Sequence, residues 1–242
     1  METLNQQKTI GSMVAENYKA ASIFRKYGID FCCQGGRSLE EACREKAINH
    51  EVVAQELKSA ASDGTSDSID YRSWPLDLLA DYIEKTHHRY VTDKSPEIRA
   101  YLLKINKVHG GRHPELAEIE QLFLDSSEEL LQHMQKEETV IFPYIRQMVE
   151  AERKDQPLPT ASFGSIEGPI NMMMEEHLHE GKRLARIAEL SNGYTTPADG
   201  CNTYKVAFAM VEEFEKDLHK HIHLENNILF PKSIELEDMA KS

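Results

Sequence analysis

HIHLENNILFP, residues 221–231, repeats the spacing of HMQKEETVIFP, residues 133–143. Both read His-x-x-x-Glu, then two residues, two aliphatics, Phe and Pro, at an offset of 88. In a helix, positions i and i+4 share one face, so each copy aims an imidazole and a carboxylate the same way. The repetition extends to the partner segments, where His87 and His177 lie 90 residues apart. The stretch 74–242 therefore reads as two related helix pairs, each supplying one His and one His-x-x-x-Glu.

The faces these residues occupy decide their meaning. Val211, Phe214, Leu218, His221, Glu225 and Ile228 follow the alternating three-four spacing of a buried helix stripe. Leu116, Ile119, Phe123, Leu130, His133, Glu137 and Val140 do the same, with Ser126 between. Ile170, Met173, His177, Leu184 and Ile187 form a third stripe, with Glu180 its polar exception, and Leu76, Ile83, His87 and Tyr90 a fourth. Six polar groups thus face an expected core: His87, His133, Glu137, His177, His221 and Glu225. An unpaired ionised carboxylate there costs several kcal/mol or more. A lone histidine on such a stripe is most often a satisfied core residue, but a duplicated His-x-x-x-Glu with two further core histidines calls for a metal. Imidazole with carboxylate suits iron, zinc or manganese. The six groups could hold one octahedral ion, or two ions about 3.5–4 Å apart with the glutamates bridging, which is the more symmetric arrangement. His88, His179, His219 and His223 fall off the stripes and His50, His109 and His113 lie outside them, so all seven are expected at the surface.

Around this element the sequence is helical nearly throughout. Expected helices cover 12–27 with Ser12 as cap and Gly28 as stop, a segment from Ser38 with Glu41 completing a capping box, and 50–60. The small, polar stretch SDGTSDSID at 62–70 reads as a linker. Four longer patterns follow at about 75–92, 114–150, 166–191 and 201–229, with Pro143 interrupting the second and Pro231 ending the fourth. The expected fold is all-α: a small helical domain at 1–62, a linker at 63–73, and an antiparallel four-helix bundle at 74–242.

Composition bounds the function. With 41 acidic and 28 basic residues the formal charge is −13, which disfavours nucleic acid and anionic membrane surfaces. No apolar run reaches the roughly 18 residues of a membrane span, and METLNQQKTIGSM lacks the pattern of a secretory leader. Four cysteines are too few for a disulfide scaffold. A cytoplasmic, reduced setting is expected. Cys43 and Cys201 are read as structural.

Taken together, CC-x-GG, a core His in the first long helix, HMQKEE, EEH and HIHLENNILFP resemble the Repair of Iron Centres family, the ScdA/YtfE-type iron–sulfur cluster repair proteins. YGIDFCCQGGRSLEEAC, residues 27–43, resembles that family's short N-terminal ScdA-type domain, and the remainder its hemerythrin-like domain. Oxygen-carrying hemerythrins end in His-x-x-x-x-Asp, whereas this chain has His-x-x-x-Glu. The resemblance implies two non-haem iron ions, oxo-bridged when oxidised, held by His87, His133, Glu137, His177, His221 and Glu225, with Glu137 and Glu225 as bridges. It also implies repair of clusters damaged by nitrosative or oxidative stress, by supply of iron, with damaged iron–sulfur proteins as partners and NO or O₂ as small ligands. A di-iron enzyme reducing NO to N₂O, or a reversible O₂ or NO sensor or carrier, are the alternatives. The oligomeric state stays open, a homodimer among the options. Of the adjacent pair in THHRY, His87 is chosen because it lies one turn after Ile83 and nine residues before Pro96, where the family's ligand sits.

Cys32 and Cys33 form a vicinal pair. They chelate one tetrahedral ion poorly compared with Cys-x-x-Cys, and a disulfide between neighbours is strained and easily reduced. They are candidates for a redox-active or transiently iron-binding dithiol.

Overall fold

The computed structural model describes residues 8–62 and 69–241. The described residues are helical in both parts, and four long rods make up the larger one. The first rod runs Leu76–Tyr82, Ile83–His88 and Arg89–His109; the second Glu115–Lys136, Glu137–Ile141 and Phe142–Arg153; the third Glu167–Leu190; the fourth Asn202–Leu224, Glu225–Leu229 and Phe230–Lys241. The start of the first rod packs on the end of the second, and its later part on the beginnings of the second and fourth. The third rod packs on the second and fourth. Consecutive rods are antiparallel, closing an up-down bundle.

Two apolar clusters fill it. One contains Val91, Leu102, Phe123, Leu130, Leu184, Phe214 and Leu218. The other contains Ile83, Ile141, Phe142, Ile170, Met173, Ile228 and Phe230. The expected ligand positions of every rod fall between these clusters. Packing also extends the first rod well beyond residue 92. Ile98, Leu102 and Ile105 are buried, and the helix continues through Pro96 to His109, because that burial outweighs the roughly 3 kcal/mol of an interior proline.

Within the four rods, three described segments depart from α-helical geometry, and each touches the expected site. Ile83–His88, Glu137–Ile141 and Glu225–Leu229 are π-turns, with the amides of Phe142 and Phe230 reaching back to the carbonyls of Glu137 and Glu225. An i→i+5 turn inserts one residue into the helical count. The stripes therefore advance by one: Val91 rather than Tyr90 is fully buried, and Ile141 is buried while Val140 is exposed. Pro143 and Pro231 do not end their helices. Both follow a π-turn, where the ladder is already widened, and the rods run on to Arg153 and Lys241.

The N-terminal part is four short helices, α1 (Ile10–Glu16), α2 (Ala20–Lys26), α3 (Leu39–Glu45) and α4 (His50–Ser62). The expected helix over 12–27 is two helices. Thr9, not Ser12, caps the first, accepting the Ser12 amide at 3.1 Å. Gly28 closes the second at φ +62°. The Ser38–Glu41 capping box forms as expected. Residues 63–68 of the expected linker lie outside the described residues; Tyr71–Ser73 form a 3-10 turn with Tyr71 buried against Trp74 and Tyr82.

This part packs directly on the bundle. Ile10, Phe24 and Phe31 share one cluster with Phe214 and Leu218. The Asn227 side chain lies in a crevice floored by Gly11 and Gly35, and donates to the carbonyl of Cys32 at 3.3 Å. A Cβ on Gly35 would lie 2.3 Å from Asn227 Oδ1 and 2.6 Å from the Phe31 carbonyl oxygen, whereas one on Gly36 would meet open space. Gly35→Ala is expected to lower stability in urea by about 1–3 kcal/mol, and Gly36→Ala to leave it within about 0.5 kcal/mol. Equal effects at the two glycines would contradict the docking geometry.

Candidate metal centre

Between the two apolar clusters, six buried side chains converge as two overlapping groups. His88, His221, Glu137 and Glu225 form one, and His133, His177, Glu137 and Glu225 the other; within each, the donor atoms lie within 4.8 Å of one another. Both glutamates belong to both groups and are fully buried. Glu137 lies 3.3 Å from His88 Nε2 and 3.3 Å from His133 Nε2. Glu225 lies 3.0 Å from His221 Nε2 and 3.2 Å from His177 Nε2.

Five of the six residues expected from sequence are here. The sixth is His88, not His87. Counting four residues from Ile83 gives His87, but the π-turn Ile83–His88 takes five, so His88 points inward. His87 is also buried, with Nδ1 2.9 Å from Asp217 Oδ1 and its ring stacked on His221 at 5.8 Å. It belongs to neither donor group.

Outer partners fix the rings. His88 Nδ1 donates to Glu138 at 2.8 Å, His133 Nδ1 to Glu176 at 2.8 Å and His177 Nδ1 to Asn226 Oδ1 at 2.8 Å. A ring donating from Nδ1 leaves its Nε2 as a free donor for a metal. Phe142 stacks on His88 at 5.4 Å and Phe230 on His177 at 6.1 Å. Glu138 and Asn226 each follow the glutamate of their repeat, and Phe142 and Phe230 precede its proline. His88 and His177 are therefore the matching members of the duplication. That equivalence was present in the sequence, one residue away from the alignment of His87 with His177.

The donor set fits a cation. His133 Nε2 and His177 Nε2 face each other at 2.9 Å, and two lone pairs at that distance repel unless a proton or metal lies between them. Both oxygens of Glu137 and Oε2 of Glu225 lack hydrogen bonds in a fully buried place, which is costly without compensation. Without metal, protons take that role. Burial opposes the charged ring of His88, but the Glu137 and Glu225 carboxylates that its Nε2 faces outweigh it and raise His88 to about 10. Burial likewise opposes His133, and the Glu137 charge beside it raises it to about 10. Burial pushes Glu225 up, yet His221 and the neighbouring imidazoles hold its carboxyl well below the usual range.

A cavity of about 130 Å³ between the second and third rods reaches His133 and His177. Glu129, Glu176 and Glu180 line it. Glu176 bonds His133 and is held at about 2, mainly by that bond. Glu180 is buried against Ser126 and Arg183, and burial raises its carboxyl.

The chain matches the hemerythrin HHE cation binding domain over residues 79–233 and the ScdA_N domain, described as of unknown function, over residues 6–61. It is 31% identical over 234 residues to the iron-sulfur cluster repair protein YtfE of Musicola paradisiaca, across 95% of this chain and 97% of that protein. The chain belongs to the ScdA/YtfE family. Similarity extends to the iron-sulfur cluster repair protein ScdA of Staphylococcus haemolyticus, 28% identical over 95% of this chain and 99% of that one, and to YtfE of Escherichia coli, 31% over 95% and 97%. No described helix is long and apolar enough to cross a membrane.

Within this ScdA/YtfE chain, the dithiol lies against the centre. Cys33 Sγ donates to the carbonyl of His177 at 3.2 Å. Asn226, which orients His177, also donates from Nδ2 to the carbonyl of Cys32 at 3.2 Å. Cys32 and Cys33 are free thiols 3.7 Å apart, and both of their amides donate to Asp30 Oδ1. Burial beneath this module also explains His219 and His223, which were expected at the surface. Both pack on Phe31, and burial lowers them to about 4 and about 3. His179 is exposed as expected.

Two outcomes check this geometry. His88→Ala is expected to reduce bound metal by half or more, and His87→Ala to retain most of it. The reverse order would restore the α-helical count. In chelator-treated protein, His88 and His133 have folded values near 10, above an unfolded value of about 6.5. Their contribution to stability is full below about pH 6.5 and is lost as pH rises through about 10. The urea midpoint should fall between about pH 7 and 10; one that holds or rises contradicts the pairing.

Proposed function

We propose that this chain holds two iron ions between its four rods and supplies iron to iron–sulfur clusters damaged by nitrosative or oxidative stress in the cytoplasm. The observation that carries the reading is that two four-donor groups share the same two glutamates. His88 and His221 serve one ion, His133 and His177 the other, and Glu137 and Glu225 reach both. Iron suits an imidazole and carboxylate set, and the relatives' names refer to iron–sulfur cluster repair. When bound, the ions supply Lewis-acid and one-electron chemistry, and they are also the cargo.

The chain's own groups account for holding and releasing that cargo. Glu138, Glu176 and Asn226 orient three imidazoles. Protons on His88 and His133 replace the cation charge when iron leaves, so the emptied centre keeps its glutamates paired. The cavity at His133 and His177 is the entry for a ligand of NO or O₂ size. The N-terminal module places Cys32 and Cys33 next to His177, where the two thiols can accept a departing ion as they give up their protons. Damaged iron–sulfur proteins are the partners, and the −13 charge makes nucleic acid an unfavourable one.

Glu137→Leu or Glu225→Leu is expected to lower iron from about two per chain to one or fewer, because each removes a ligand from both groups. Retention of wild-type iron would remove the bridging role. Cys32→Ala with Cys33→Ala should leave the iron spectrum intact and slow reactivation of an NO-treated iron–sulfur dehydratase. Unchanged reactivation would detach the dithiol from repair. N₂O formed over many turnovers would assign the chain to NO reduction instead.

A further inference from the structure

Cys201 looks structural in sequence, with no cysteine near it. The structure places it exposed, at the cap position of the fourth rod's Asn202–Leu224 helix. Its sulfur lies 3.2 Å from Nε2 of His109, the last residue of the first rod. His109 is 95% buried, its Nδ1 has no hydrogen-bond partner, and its ring meets Tyr204 edge-on at 5.4 Å. A buried imidazole whose polar contact is one exposed sulfur is aimed at that sulfur. His88 and His109 are 21 residues apart along one rod, so this pair lies about 30 Å from the metal centre.

We propose that Cys201 is a nucleophilic thiol that forms mixed disulfides with low-molecular-weight disulfides, with His109 taking its proton. The thiolate attacks one sulfur of the disulfide RSSR. A bond forms between Cys201 Sγ and that sulfur, the S–S bond of the reagent breaks, and RS⁻ leaves. The proton on His109 passes to RS⁻, so one thiol and one disulfide become one mixed disulfide and one free thiol. The reagent is the oxidant.

The surroundings support thiolate formation. The His109 hydrogen bond, followed by the amides of Tyr204 and Thr203 at the start of the helix, lowers the Cys201 thiol to about 7. The nearby charged groups largely satisfy one another. Asp199, in the preceding loop, pairs with Arg112 at 2.9 Å and His113 at 3.0 Å, and His113 also bonds Glu115 at 3.0 Å. Two of the other cysteines differ: Cys43 is buried and raised by burial, and Cys32 is buried and raised well above the usual range, first by Cys33 and then by burial.

The test uses the full-length, metal-loaded protein. Iodoacetamide labelling is followed residue by residue with peptide mapping between about pH 5 and 10, a range that brackets perturbed thiols. A second arm incubates the protein with oxidised glutathione and maps the adduct. Lower thiol pKa also lowers nucleophilicity, so at neutral pH the rate gain over an ordinary cysteine is only about threefold. The labelling midpoint is the sharper readout. It is expected at about 7 for Cys201, moving towards about 8.5 in His109→Gln, with a glutathione adduct at Cys201. A wild-type midpoint at about 8.5 or above, a midpoint unmoved in His109→Gln, or no adduct at Cys201 overturns the proposal. Should His109→Gln fail to fold, the wild-type midpoint and the adduct map decide alone. Metal content does not enter any readout, so the outcome is separate from the iron assignment.

Discussion

Glu137 and Glu225 are fully enclosed by the four rods, and most of the architecture follows from having to compensate them. Two carboxylates that close together repel and resist leaving water. Four imidazoles surround them, and outer partners hold three of those rings so that Nε2 points inward. The two apolar clusters on either side keep solvent out and fix the helix faces. Whichever cation occupies the centre, protons or metal, its charge is what lets the rods close.

The duplication was legible because helix periodicity is strict over most of each rod. It gave the all-α bundle, both His-x-x-x-Glu elements and the third-rod His177. It failed at residue 87 for a definite reason. The π-turns are set by tertiary geometry at the site and carry no composition signal of their own, so an α-count drifts by one residue across each. Val140 and Tyr90 were misplaced by the same shift as His87. The equivalence of Glu138 with Asn226 and of Phe142 with Phe230 shows that the repeat held enough information to correct it. Pro143 and Pro231, read as breaks, follow two of the turns.

The docking of the N-terminal module was not legible. Its own helices are recognisable from Ser38, Glu41 and Gly28, but nothing in their pattern indicates that Phe31 covers His219 and His223 or that Asn227 fits between Gly11 and Gly35. The consequence is functional. Asn226 touches His177 with one end and Cys32 with the other, so one side chain links the His177 ring to the dithiol loop. The Cys201–His109 pair was hidden for a similar reason: it joins the end of the first rod to the start of the fourth, 92 residues apart.

Anomalous X-ray diffraction at the iron edge, on crystals of the iron-loaded protein, would locate the bound ions against these six side chains. The shared-glutamate arrangement requires two iron peaks, one bound by Nε2 of His88 and His221 and the other by Nε2 of His133 and His177, with Glu137 and Glu225 contacting both. A single peak, a peak bound by His87, or ions that leave either glutamate uncoordinated would contradict it.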